Sequence, residues 1–214
     1  MLLKKVAIIS SVPNDNFKNN FKDYHFIGVE KGAKYLIDQK FENLVYFVSD
    51  CDSINENDKL LIQNHFQAYA FLDSNKNETD IELAIIWAIK NDYQEIVIFQ
   101  SGNRQDHFFC NLLIIRKYTN DYPKIKIKLL DNFNSIYYLP NNTKQIFTPQ
   151  KSAFISFFSL EQSIISTTNL KWNLTNKKID SNSTFTISNQ IDKSNNFIVN
   201  VIKGGIFVFL SIDD

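Results

Sequence analysis

The feature that most constrains this chain is a change of rhythm past its middle. Up to about residue 130, short apolar runs alternate with helical periodicities, and beyond it no convincing helix follows. Val6 to Ser10, Tyr24 to Val29, Leu44 to Val48, Ala68 to Leu72, Ile96 to Phe99 and Lys124 to Leu130 read as strands. Between them, Lys31 to Gln39 places Ala33, Leu36 and Ile37 on one helical face, and Thr79 to Lys90 spaces Ile81, Ala84, Ile85 and Ala88 helically. Lys59 to Phe66 and Asp106 to Tyr118 read as further helices. Such alternation predicts right-handed βαβ units around a mostly parallel sheet. The later runs, Ser135 to Leu139, Ala153 to Phe158, Thr184 to Ser188, Phe197 to Ile202 and Ile206 to Ser211, are separated by Asn, Ser and Thr turns. They predict a small antiparallel sandwich or barrel. The expected cut falls at Asp131 to Asn134, giving an α/β domain at residues 1–131 and a β domain at 132–214.

Composition narrows the function. Twenty-three basic and 23 acidic residues cancel, so the cationic excess of a phosphate-backbone binder is missing and no nucleic-acid partner is expected. Apolar runs such as Ala84 to Ile89 fall far short of the roughly 20 residues a membrane span needs, and no secretory leader pattern is seen. Cys51 and Cys110 are too few for a disulfide scaffold. The expectation is a cytoplasmic chain without a membrane partner. Only five glycines occur, and Arg104 and Arg116 are the only arginines, so each becomes a pointer to a position that needs it.

Four polar clusters follow predicted strands directly or closely: Glu30-Lys31-Gly32, Asp50-Cys51-Asp52-Ser53, Lys76-Asn77-Glu78-Thr79-Asp80 and Ser101-Gly102-Asn103-Arg104-Gln105-Asp106-His107. In an open parallel sheet that edge is where ligands bind, so four chain-distant clusters converge on one crevice. Asp50 and Asp52 crowd two carboxylates into one loop, a repulsion that a hard cation such as Mg²⁺ relieves. Lys76 and Arg104 supply positive charge, and Gly102 permits close approach to a phosphate. Phosphoryl or nucleotidyl transfer is the chemistry these residues suit. A nucleophilic Cys51 is disfavoured between two carboxylates, and His25 and His65 read as isolated structural residues. Trp87 reads as core, and for His107, at a helix start, structural and functional roles stay open.

At these clusters the sequence resembles the thiamine pyrophosphokinase family. Gly28-Val29-Glu30-Lys31-Gly32 is similar to its acidic-plus-glycine stretch, Ser49-Asp50-Cys51-Asp52-Ser53 to its GDFDS-like loop, and Lys76 to Ala84 to its KDxTDxExA element. Gly102 to His107 with Asn111-Leu112 resembles GGRxDHxxxNL. In the β-rich half, Asn169 to Leu174 resembles GLKWNL, and Ser183-Thr184 with Ile187-Ser188-Asn189 resembles GSTxxISN. The sequence departs from the pattern at Glu30, Ser49, Cys51, Asn77, Asn103 and Asn169.

The resemblance implies an α/β plus all-β fold, an N-terminal, mostly parallel αβα Rossmann-like domain followed by a C-terminal antiparallel β-sandwich. It implies a transferase of the kinase type that moves the terminal pyrophosphate of ATP onto the hydroxyl of thiamine, giving thiamine diphosphate and AMP. Asp50, Asp52 and Asp80 would bind Mg²⁺ and, with Arg104 and Asp106, form the catalytic set. Glu30, Lys31, Gly32, Ser53, Lys76, Thr79, Gly102, Arg104, His107 and Asn111 would serve ATP. Asp106, Trp172, Ser188 and Asn189 would serve thiamine. The family resemblance further implies a homodimer with composite active sites. Two rivals remain: a related pyrophosphokinase acting on another alcohol such as a pterin, and a thiamine- or nucleotide-binding module without turnover.

Overall fold

A computed structural model describes residues 3–13, 17–50, 55–73, 75–102, 104–149 and 153–213. The chain divides into two compact units, residues 1–114 with 123–132, and residues 115–122 with 133–214.

The first unit carries six strands, β1 (Lys5–Ile9), β2 (His25–Val29), β3 (Leu44–Ser49), β4 (Tyr69–Phe71), β5 (Glu95–Phe99) and β6 (Lys126–Leu130). All are parallel, in the order β4-β3-β2-β1-β5-β6. The order reverses direction between β1 and β5, which creates a crevice at the carboxyl ends of the strands. The helices are α1 (Phe17–Asn20), α2 (Lys31–Asp38), α3 (Glu56–His65), α4 (Asp80–Lys90) and α5 (Gln105–Asp121). The inner strands β1, β2, β3 and β5 are largely apolar because both faces are covered, whereas β6, last in that order, alternates Lys126 and Lys128 with Ile127 and Leu129. Ala7, Ile9, Phe26, Phe47, Val97 and Phe99 form one core with Ala33 and Leu36 of α2 and Ile62 of α3. The alternate residues Val6, Ile8, Ile27, Val45, Ile96 and Ile98 are also buried, and α4 packs on β1, β2, β3 and β5 through Ile81, Ala84, Ile85 and Ala88. Each fully buried Val, Leu, Ile or Phe side chain contributes about 1.5–3 kcal/mol. Trp87 is not deeply buried: it is partly exposed and stacks on Tyr46 at 4.6 Å.

Capping sets the helix starts. The Asn55 side chain accepts the Asp58 N–H at 2.9 Å, so α3 begins at Glu56, earlier than its apolar periodicity indicates. Thr79 stands outside α4 as its N-cap, its Oγ1 accepting the Glu82 N–H at 3.1 Å.

The second unit holds β7 (Asn134–Leu139), β8 (Thr143–Phe147), β9 (Phe154–Phe158), β10 (Ser163–Thr168), β11 (Lys177–Ile179), β12 (Phe197–Lys203) and β13 (Ile206–Ser211). They pair antiparallel as β7-β13-β9 and β11-β10-β12-β8. Ile155, Phe157 and Val208 of the first set share a core with Phe147, Ile165, Phe197, Val199 and Val201 of the second. The observed fold is therefore a mixed α/β unit and a separate antiparallel β unit. The strand expected at Thr184 to Ser188 is absent. There Thr186 Oγ1 donates to the Phe157 carbonyl at 2.5 Å, the Ser188 N–H donates to Ser156 Oγ at 3.0 Å, and Ser188 takes φ 56°. These hydroxyl bonds, beside one backbone bond from the Phe157 N–H to the Thr186 carbonyl at 2.9 Å, go with a bent segment that reaches β9 as a bridge only at Asn189 and Ile155.

Candidate active site

The parallel sheet delivers the polar loops to one edge. Glu30 directly follows β2, Asp50 directly follows β3, Asp80 opens α4, and Gly102 to His107 leads from β5 into α5. At the switch point, the Ser101 N–H donates to Ser11 Oγ at 2.6 Å and Ser10 Oγ to the Phe99 carbonyl at 3.1 Å, tying the ends of β1 and β5 together.

Asp80 is the hub. Its side chain is only 8% exposed; one carboxylate oxygen accepts the Lys76 ammonium and the other accepts the Asp50 N–H at 3.4 Å. Glu30 lies in the field of the same group. Withdrawal of its carboxyl from water pushes its pKa up, Asp80 and then Asp50 add to the rise, and His107 opposes it. Glu30, Asp50, Lys76, Asp80 and His107 thus come together. Glu30 also adopts φ 47° and ψ −126°, backbone that glycine favours, at a typical cost of about 1–3 kcal/mol. Two residues on, Gly32 answers a steric demand: a Cβ there would stand 1.9 Å from the Ile9 carbonyl oxygen. The first turn of α2, with Lys31, is therefore seated against the end of β1.

Arg104 and Asp106 form a forked pair, Nε to Oδ1 at 2.9 Å and Nη2 to Oδ2 at 2.7 Å, with side chains 69% and 64% exposed. The Arg104 hydrogen bond holds the Asp106 carboxyl well below the usual carboxylate range. Asn111, buried on α5, donates to Gln100 Oε1 at the end of β5, so it orders the strand end. Gly102, at φ 137°, has open space where a Cβ would stand. Asp52, Ser53, Cys51 and Asn103 lie outside the described residues.

Among the described residues no three His, Cys, Asp or Glu side chains already form a metal site. The donor set still suits a hard divalent cation. Asp80 offers carboxylate oxygens beside the Asp50 main chain, and burial, then Asp80 and Asp50, raises the neighbouring Glu30 carboxyl. Missed in the sequence was a cleft beside Glu30 lined by Lys31, Lys34, Ile37, Asp58, Leu61 and Ile62. The sequence placed Ala33, Leu36 and Ile37 on one apolar helical face, a signal that does not by itself reveal a groove.

In the second unit, Trp172, Ser188 and Asn189 meet. The Asn189 side chain accepts the Trp172 N–H at 3.2 Å and donates to the Trp172 carbonyl at 2.7 Å, while the Trp172 residue remains 56% exposed. Ser188 is exposed and follows the bend described above.

Comparison with known proteins accounts for both units. Residues 18–129 match the family model of the thiamin pyrophosphokinase catalytic domain, and residues 143–204 match that of the thiamin pyrophosphokinase vitamin B1 binding domain. The thiamine pyrophosphokinase of Bacillus subtilis (strain 168) is 31% identical over 196 residues, covering 88% of this chain and 90% of that protein. A crystal structure of the Bacillus subtilis thiamine pyrophosphokinase superposes with TM-score 0.83 at 27% identity, over 99% of this chain and 100% of that one. The thiamin pyrophosphokinase of Candida albicans, 17% identical with TM-score 0.80 over 99% of this chain and 90% of its own, shares the fold. Two family models in sequence order and a relative matched over nine-tenths of its length make the chain a member of the thiamin pyrophosphokinase family.

Proposed function

We propose that the chain transfers the terminal pyrophosphate of ATP to the hydroxyl of thiamine, releasing thiamine diphosphate and AMP, and that the loop cluster around Asp80 performs the transfer. The observation that carries this reading is the joining of Asp50, Lys76, Asp80 and Glu30 at the carboxyl edge of the parallel sheet, in a chain of this family. The first unit is read as a Rossmann-like nucleotide-binding domain, 1–131, and the second as a thiamine-binding β-sandwich domain, 132–214.

Each residue has a chemical task. Lys76, Arg104 and Lys31 offset phosphate charge, and the first turn of α2 presents backbone N–H groups to the same anion. Gly102, Thr79, Ser53, His107 and Asn111 shape the ATP side, and the cleft lined by Lys34, Ile37, Asp58 and Leu61 offers an apolar floor with polar edges for the nucleoside. Asp50 and Asp80, with Asp52, would hold Mg²⁺, which when bound neutralises charge on the transferring group. Asp106, fixed by Arg104, orients the thiamine hydroxyl, and Trp172, Ser188 and Asn189 serve the thiamine rings. The hydroxyl oxygen forms a bond to the β-phosphorus, the bond from that phosphorus to the AMP oxygen breaks, and the hydroxyl proton passes to an aspartate of the cluster. The working state is a cytoplasmic homodimer with composite active sites.

The test is incubation of the purified chain with thiamine, ATP and Mg²⁺, following thiamine diphosphate by chromatography. Product only with a pterin alcohol, or thiamine binding without product, overturns the reading. Asp52→Asn is expected to abolish turnover with the melting temperature nearly unchanged; surviving activity contradicts the metal assignment.

A further inference from the structure

We propose that Asn189 is a positioning residue: its carboxamide fixes the Trp172 loop, and it acts on thiamine through Trp172 rather than by touching it. This rests on the reading of Trp172 as a thiamine contact. Asn189 is 7% exposed. Its Oδ1 accepts both the Trp172 N–H at 3.2 Å and the Gln190 N–H at 2.9 Å, and its Nδ2 donates to the Trp172 carbonyl at 2.7 Å. Both oxygen lone pairs and one of two N–H groups are therefore used within the protein. The backbone of Asn189 is fixed as well, through reciprocal 2.8 Å hydrogen bonds with Ile155.

The Trp172 loop is held at further points. The Lys171 N–H donates to the Gln190 carbonyl at 2.8 Å, Leu170 bridges to Ile191, and the Leu170 N–H donates to Asn173 Oδ1 at 3.1 Å. The result is a clamped main chain bearing an indole that stays largely in solvent, with the Lys171 ammonium 4.7 Å from its ring centroid. An exposed aromatic on a rigid backbone loses little freedom when a flat heteroaromatic ring stacks on it. Only an amide supplies both the acceptor for the Trp172 N–H and the donor to its carbonyl. Aspartate retains the first and sets an oxygen against the second.

The test is steady-state kinetics of the full chain with ATP and Mg²⁺, together with melting temperatures. Asn189→Ala is expected to raise the KM for thiamine about tenfold, with kcat and the KM for ATP within about twofold. Asn189→Asp should fall between it and the wild type, and Trp172→Ala should raise the same KM. In the Trp172→Ala background, Asn189→Ala should add less than about twofold, because the two act on one contact. Full multiplication of the two effects overturns the proposal, since Asn189 would then touch thiamine itself. A fall in kcat and melting temperature together with a rise in both KM terms also overturns it, as a merely structural role. A raised KM in Trp172→Ala beside an unchanged one in Asn189→Ala overturns the role of Asn189 alone. An unchanged KM in Trp172→Ala overturns the thiamine contact, and the role inferred for Asn189 with it.

Discussion

The polar groups of the two units solve opposite problems. In the first unit carboxylates are brought close enough to repel: Glu30 is pushed up by partial burial and Asp80 while sitting on strained backbone, and Asp80 holds Lys76 and the Asp50 N–H. In the second, neutral groups pair until little capacity is left, as with Asn189 on the Trp172 loop or the Ser159 and Ser163 hydroxyls, which both donate to the Gly205 carbonyl at 2.8 and 3.0 Å. Charge held in tension suits a site that must accept phosphates and a cation; saturated amides suit a surface that must keep its shape. Variants in the first region should therefore act mainly on rate, and those in the second on the affinity for one substrate.

The sharpest way to break this contrast is Asp80→Asn. Loss of the hub charge should lower kcat by roughly 10²–10³-fold. It also leaves the mostly buried Lys76 ammonium without its carboxylate, so stability should fall by about 3 kcal/mol. Near-normal turnover would show that the cluster is structural. Arg104→Lys should be gentler on rate, about tenfold to a hundredfold, because a point charge cannot reproduce the fork to Asp106. The pair is exposed, so the melting temperature should hardly move; a large shift would contradict a catalytic tuning of that loop.

Gly32→Ala tests whether the site depends on backbone contact. With the Ile9 carbonyl oxygen 1.9 Å from the new Cβ, α2 must shift, which should cost about 1–3 kcal/mol in denaturant unfolding and raise the KM for ATP. The smallest effect is expected at the far end of β2. Burial, then Lys4, holds His25 below its ordinary value, and its Nδ1 lies 2.6 Å from the Tyr93 hydroxyl. A lowered basic pKa contributes stability that is present above the unfolded value of about 6.5 and is lost as pH falls through the folded value. His25→Gln should flatten the stability profile below pH of about 6.5 and leave turnover alone. An unchanged profile would contradict the assignment of that pH dependence to His25.

The sequence was most informative where one physical rule decided the outcome. Apolar runs buried on both faces marked β1, β2, β3 and β5 within a residue or so, because nothing else tolerates such runs in a soluble sheet. The acidic and basic loop residues were legible because their strand-end positions were. Less legible were β8 and β10, where Thr143-Lys144-Gln145 and Ser166-Thr167-Thr168 are polar runs without the apolar alternation that marks a strand, yet the sheet pairs them. The Thr184 to Ser188 segment shows the reverse: β-favouring residues where the Thr186 hydroxyl donates to the neighbouring strand and the Ser188 N–H donates to the Ser156 hydroxyl on it, so the chain bends. The family resemblance placed Asn189 with thiamine, but only the structure shows its carboxamide spent on Trp172. Side-chain direction within an irregular loop has no period to read.

The central claim is that one pyrophosphoryl unit moves intact from ATP to thiamine at the Asp80 cluster. The most direct measurement is the nucleotide released per thiamine diphosphate formed by the purified chain. AMP and thiamine diphosphate in equal amounts, with no ADP and no thiamine monophosphate intermediate, is the predicted result. ADP released in two successive phosphoryl transfers, or AMP formed without thiamine diphosphate, would contradict it.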